Sequence, residues 1–218
     1  MTSILSANQQ RLLTLLSEDE HICKTFYLSG GTALAEFYLH HRFSEDLDFF
    51  SEKEFESEGV STVLKKIQKA AGILRVRYEQ SFNRNLFFLE LEKEEIKTEF
   101  TYFPFPRIEQ KKKIVNLSID SLIDIAVNKL FTIYQKPRSR DYIDLYCIIK
   151  CESWTVADLV KKARIKFDYH IDLLQLGAQF VRAKELKDYP RMLIPIDDSV
   201  WQDFFLEEAK RLSSEVLM

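Results

Sequence analysis

Apolar positions between residues 4 and 20 (Ile4, Leu5, Leu12, Leu13, Leu15, Leu16) are spaced to give one apolar face, which predicts an opening helix. The period then shortens. Thr25-Phe26-Tyr27-Leu28 is β-branched and aromatic and runs into Ser29-Gly30-Gly31, the pattern of a short buried strand ending in a tight turn. Thr32 follows as a candidate cap for a helix through Ala33, Leu34, Ala35, Phe37 and Leu39. After the polar loop His40-His41-Arg42-Phe43-Ser44-Glu45 comes a second apolar strand, residues 47–50, interrupted by Asp48. Helical spacing returns over 54–71. Residues 74–79, 86–91 and 96–103 then read as strands, the first two joined as a hairpin through Ser81-Phe82-Asn83-Arg84-Asn85. Pro104 and Pro106 cannot donate to a ladder and end the sheet pattern. Residues 105–117 read as a connection, and from Ser118 onward the period is helical except around Pro190 and Pro195. The expectation is an α+β chain, with a mixed β-sheet and helices over 1–106 and a helical domain over 107–218.

Composition narrows the classes. With 46% hydrophobic and 30% charged residues but only five Gly and five Pro, the chain has the material for a packed core and is not a disordered sequence. No apolar run approaches the roughly 20 residues that cross a bilayer, and the first residues lack a basic segment followed by an apolar one, so no membrane association is expected. Three cysteines (Cys23, Cys147, Cys151) are odd in number and point to a reduced, cytoplasmic protein. A formal charge of -3 argues against an overall basic nucleic-acid binder. Three clusters still leave room for a basic face toward RNA: Lys111-Lys112-Lys113, Lys136 with Arg138 and Arg140, and Lys161, Lys162, Arg164 and Lys166. His40 and His41 have no Cys or His partners at zinc-ligand spacing.

The chemistry concentrates in Leu28-Ser29-Gly30-Gly31-Thr32-Ala33-Leu34 and Arg42-Phe43-Ser44-Glu45-Asp46-Leu47-Asp48-Phe49-Phe50. A strand, two glycines and a helix start can cradle a phosphate, because backbone N–H groups are free there and no side chain keeps the anion away. The same glycines also serve a plain turn. Asp46 and Asp48 alternate with Leu47, so in a strand both carboxylates point to one face. Like charges held close repel, and a hard divalent cation such as Mg²⁺, shared with substrate phosphates, relieves the repulsion. The structural alternative is that Asp46 caps a turn and Asp48 lies at a solvated sheet edge.

Gly-Gly-Thr-Ala-Leu followed, one helix later, by Arg-Phe-Ser-Glu-Asp-Leu-Asp-Phe-Phe resembles the signature of the AbiEii/AbiGii toxin family, within the DNA polymerase β-like nucleotidyltransferase superfamily. The resemblance covers about residues 25–150 and implies a polymerase β-like fold. It further implies transfer of a nucleotidyl group from a nucleoside triphosphate to an acceptor hydroxyl, on a tRNA 3′ end or a protein, with Mg²⁺ or Mn²⁺ as cofactor. The protein would be the toxin of a toxin–antitoxin or phage-defence pair, with a cognate antitoxin as partner. Carried onto this chain, the resemblance makes Asp46 and Asp48 metal ligands and Gly30, Gly31, Ser29 and Thr32 the phosphate-side positions, with Arg42 near enough to touch a phosphate. Glu99 is the candidate third carboxylate, as metal ligand or base, or else a solvated strand residue. Lys129, inside an apolar helix, would neutralise the triphosphate. Asp141 and Asp144, on one face of the next helix behind a capping Ser139, would position Lys129 or serve as structural ion-pair partners. The alternative is a non-catalytic protein that keeps the nucleotide pocket and acts by binding an antitoxin or RNA.

Overall fold

The structure, a computed structural model that describes residues 3–216 (without the side chains of residues 110, 111, 215 and 216), divides into two units, Met1–Ser121 and Leu122–Met218. In the first unit α1 (Ala7–Glu18) and α2 (Glu20–Thr25) lead into β1 (Tyr27–Ser29). The helix α3 (Gly30–Leu34) continues as a π-helical turn over Ala35–Leu39, which stops at His40 in the left-handed region (φ 48°). Next come β2 (Leu47–Ser51), α4 (Ser57–Ala71), β3 (Arg75–Ser81), β4 (Arg84–Glu90), β5 (Glu95–Tyr102), β6 (Gln110–Ile114) and β7 (Leu117–Asp120). Among the described residues these strands make one seven-stranded mixed sheet in the order β3-β4-β5-β2-β1-β7-β6. β2 runs antiparallel to β1 and parallel to β5, and β7 runs parallel to β1.

The register sorts the sheet into two faces, because successive side chains alternate. Leu28, Phe49, Phe100 and Phe87 share one face, where Phe49 stacks on Phe100 with centroids 4.7 Å apart and Phe26 meets Phe100 edge-on at 5.0 Å. Buried Leu12, Leu16, Ile22, Val60 and Leu64 from α1, α2 and α4 complete this core. The opposite face carries the polar row described below.

Two expectations fail in this half. Residues 107–121 do not belong with the helices: they supply β6 and β7, so the sheet runs past both prolines and the first unit ends at Ser121 instead of residue 106. Leu117-Ser118-Ile119-Asp120 is too short an alternation to announce itself, and its neighbour β6 is a lysine-bearing edge strand, the usual guard against edge-to-edge pairing. The side chain of Lys111 lies outside the described residues. Thr32 is not a helix cap either, since the helix starts at Gly30 and the Thr32 hydroxyl points inward.

The second unit is helical: α5 (Leu122–Gln135), α6 (Ser139–Cys151), α7 (Val156–Phe167), α8 (Leu173–Val181), a 3₁₀ turn (Arg182–Lys184) and α9 (Asp198–Val216). Its core is aromatic, with Tyr142, Phe180, Trp201 and Phe205 fully buried and Phe205 within 5.0 Å of both Tyr142 and Phe180. Ser139 is the first residue of α6, not its cap. Its N–H and hydroxyl both donate to Asp188 Oδ1 at 2.9 Å, while Asp141 Oδ2 takes the Arg138 N–H at 3.1 Å. No helix among the described residues is long and apolar enough to cross a membrane.

Candidate active site

Five strands contribute to one polar row on the other face of the first unit's sheet. Ser29 of β1 lies opposite Asp48 of β2, and Asp48 lies opposite Glu99 of β5. Beyond Ser29 stands Asp120 of β7, whose Oδ2 accepts the Ser29 hydroxyl at 2.6 Å. Beyond Glu99 stands Arg84 of β4, whose Nε and Nη2 donate to the two Glu99 oxygens at 2.6 and 2.5 Å. Asp46 projects to the same face as Asp48, and its Oδ2 accepts from Lys97 Nζ at 3.1 Å. Lys97 also stands 3.8 Å from Glu99 Oε2.

The glycine turn meets Asp48 directly. A Cβ built on Gly30 would lie 2.3 Å from Asp48 Oδ2, and Gly30 holds φ +73°, a backbone that side-chain-bearing residues rarely adopt. A Cβ on Gly31 would lie 2.4 Å from Arg42 Nη2. Arg42 itself is buried and donates through Nη1 to the Phe43 carbonyl at 2.8 Å. The hydroxyls on either side of the glycines face inward: Ser29 is committed to Asp120, and Thr32 Oγ1 bonds Ser44 Oγ at 2.8 Å and the Asp46 carbonyl. These two residues therefore fix the turn and the entry to β2.

Gly30→Ala is expected to lower turnover about a hundredfold, because even a small displacement of a reacting group is costly, and to cost about 1–2 kcal/mol of stability from the positive φ. Gly31→Ala should be milder, since its clash is with the end of a long side chain at an ordinary φ. Kinetics and urea unfolding of both variants check this.

Among the described residues no three His, Cys, Asp or Glu side chains converge as a ready-made metal cage. Two carboxylates on one strand face suit instead a cation that completes its shell with water and phosphate oxygens, as Mg²⁺ does. Glu99 is placed beside Asp48 but occupied. Burial alone would push its carboxyl up, yet the Arg84 fork, the Thr101 hydroxyl (2.9 Å) and Lys97 outweigh burial and hold it below the ordinary range. A depressed carboxyl stabilises the fold above its unfolded pKa of about 4.3 and loses that contribution as pH falls through the folded value. Glu99→Gln is therefore expected to lower stability by about 1–2 kcal/mol at neutral pH, with the gap to the parent closing below about pH 4, as followed by urea unfolding across pH.

In the second unit, Lys129 Nζ stands 2.7 Å from Asp141 Oδ1 and 2.8 Å from Asp144 Oδ2, with Asp144 fully buried. The three residues thus form one cluster, and Asp141 doubles as the clamp on the start of α6.

Sequence reasoning missed several polar groups. Arg84 sat in a turn-like pentapeptide, and only its pairing with β5 brings it to Glu99, fifteen residues on. Lys97 was legible from the Lys97-Thr98-Glu99 alternation, which puts it on the Glu99 face. Lys166, which the sequence places in a cluster open to RNA, is fully buried and bonded to Asp124 at 2.7 Å, so it does not belong to a basic surface.

A model of the family described as "Nucleotidyl transferase AbiEii toxin, Type IV TA system" matches residues 14–208. A protein of Aquifex aeolicus (strain VF5), aq_aa25, is 34% identical over 150 residues, which is 67% of this chain and 68% of its own length. The crystal structure of JHP933 from Helicobacter pylori is similar with a TM-score of 0.60 at 20% identity, covering 97% of this chain and 94% of that one. A second H. pylori crystal structure also gives 0.60, at 19% identity and 97% coverage of each chain. At those identities the two structures speak to the fold alone.

Proposed function

Because the chain belongs to the AbiEii toxin family of nucleotidyl transferases, and has its α+β, polymerase β-like fold, we propose that it is a Mg²⁺-dependent enzyme that moves a nucleotidyl group from a nucleoside triphosphate to an acceptor hydroxyl. The supporting observation is the contact between the glycine turn and Asp48: a Cβ added to Gly30 would come within 2.3 Å of Asp48 Oδ2. A phosphate on the Gly30–Gly31 backbone is then next to Asp46 and Asp48, whose carboxylates would hold the divalent cation. When bound, that cation polarises the phosphate and offsets its charge during transfer.

The remaining work belongs to the chain's own residues. Ser29, tied to Asp120, and Thr32, tied to Ser44 and the Asp46 carbonyl, hold the turn and strand β2 at fixed separation. Positioning of this kind supplies most of the rate in phosphoryl and nucleotidyl transfer. Arg42, packed against Gly31, adds positive charge behind the turn. Within the second unit Asp141 and Asp144 orient Lys129, the residue that the family resemblance makes a triphosphate-neutralising cation. The protein would act in the cytoplasm as the toxin of a pair, held in check by an antitoxin, with a tRNA 3′ end or a protein as acceptor.

Incubation of the protein and Mg²⁺ with each α-labelled nucleoside triphosphate, in the presence of total tRNA or a cell extract, tests the proposal. Label is expected to pass to an RNA or protein band and to stop with EDTA. Binding of triphosphate without transfer to any acceptor would favour the non-catalytic alternative.

A further inference from the structure

We infer that Arg84 is a phosphate-binding residue on the acceptor side of the site and that Glu99 is the residue that positions it. The inference deepens the nucleotidyltransferase reading and rests on it for which side is which. β2, with Asp48, lies between β1 and β5. A nucleotide on the glycine turn takes the β1 side, leaving the β5–β4 side for the second substrate, where Lys97, Glu99 and Arg84 lie nearest Asp48, with Glu90 and Glu95 farther along the same face.

The Arg84–Glu99 pair is asymmetric. The Glu99 side chain is 7% exposed and accepts from both fork nitrogens of Arg84 and from Thr101, whereas the Arg84 side chain is 49% exposed. The carboxylate is the anchor and the guanidinium is the part offered to solvent. Its Nη1 makes no hydrogen bond among the described residues, and a planar guanidinium with a free edge is well suited to a phosphate.

The adjoining turn narrows the phosphate to that of a nucleic acid. Asn83 clamps the turn to β5, its Nδ2 donating to the Tyr102 carbonyl at 2.7 Å and its own carbonyl accepting the Tyr102 N–H at 3.1 Å. Phe82, held by that clamped turn, takes φ 53°, unusual for a bulky residue, and leaves its side chain 96% exposed. An exposed aromatic ring on a clamped turn, two residues from a half-exposed guanidinium, is a pairing suited to an unpaired base on one and its phosphate on the other.

The test uses the full chain and its Arg84→Gln, Arg84→Lys, Glu99→Gln, Phe82→Ala and Arg84→Gln/Glu99→Gln variants. A short single-stranded RNA is followed by fluorescence anisotropy across salt concentrations, and each Mg²⁺–nucleoside triphosphate by calorimetry. Arg84→Gln is expected to weaken RNA binding about tenfold and to reduce the slope of log K against log salt by about 0.7, with triphosphate affinity unchanged within about twofold. Arg84→Lys, which preserves the charge and so the fold, should recover only part of the loss. Glu99→Gln should weaken RNA less than Arg84→Gln, and the double variant no more than Arg84→Gln alone. Phe82→Ala should also weaken RNA. Loss of triphosphate affinity in place of RNA affinity would assign Arg84 to the nucleotide and overturn the inference. So would a raised Mg²⁺ requirement in Glu99→Gln, unchanged RNA binding in the Arg84 variants, or a parent protein that ignores RNA and labels a protein. A parent that binds RNA through Arg84 yet transfers no label overturns the enzymatic reading instead.

Discussion

Asp48→Asn is expected to lower nucleotidyl transfer by about a thousandfold while changing stability by no more than about 1 kcal/mol. The substitution is nearly isosteric, so the Gly30 contact, the pairing of β2 with both β1 and β5, and the Phe49–Phe100 stack on the far face are kept. What it removes is one of two negative charges on a single strand face. With a neutral amide at 48, a cation retains Asp46 alone, and Asp46 is already matched by Lys97 at 3.1 Å. The defect should therefore appear in the metal requirement as well as in kcat: transfer by Asp48→Asn should need far more Mg²⁺, and triphosphate binding should lose its Mg²⁺ dependence. Label transfer and calorimetry with and without Mg²⁺ provide the check. An Asp48→Asn variant with parental turnover would remove the acidic pair from the chemistry.

How much of this site a one-dimensional reading can reach depends on how local its parts are. The glycine turn and the Asp-Leu-Asp alternation are local, and the β1–β2 pairing brings them together with no element between Ser29 and Asp48 other than one short helical stretch. The β3–β4 hairpin is local too, although its turn is only Phe82-Asn83, so Arg84 begins a strand. Arg84 gains its meaning from Glu99 across a β4–β5 ladder, and no spacing rule announces that contact. The hydroxyls of Ser29 and Thr32 show the same limit. Their position beside the glycines suggests phosphate binding, but Asp120 and the Asp46 carbonyl reach them through the fold. β7 was illegible because four alternating residues carry little signal, and it forms only because β1 offers it an open parallel edge.

The largest stability effect is expected away from the site, at the Asp124–Lys166 pair of the second unit. Both side chains are 0% exposed and their charged atoms stand 2.7 Å apart. Taking one partner away leaves the other as a buried charge without its counter-ion, which costs about 3–5 kcal/mol, a large share of a typical domain's total. Lys166→Met keeps most of the side chain's volume and removes its charge, so its cost reports the stranded carboxylate and not a cavity. Asp124→Leu should be comparably harmful for the mirrored reason. The double variant Asp124→Leu/Lys166→Met is expected to regain most of the loss, since two apolar side chains of similar size replace a pair whose attraction is spent largely on desolvation. Urea unfolding of the single and double variants measures the coupling directly. Additive losses would mean that Asp124 and Lys166 stabilise the helices through separate partners and not through each other.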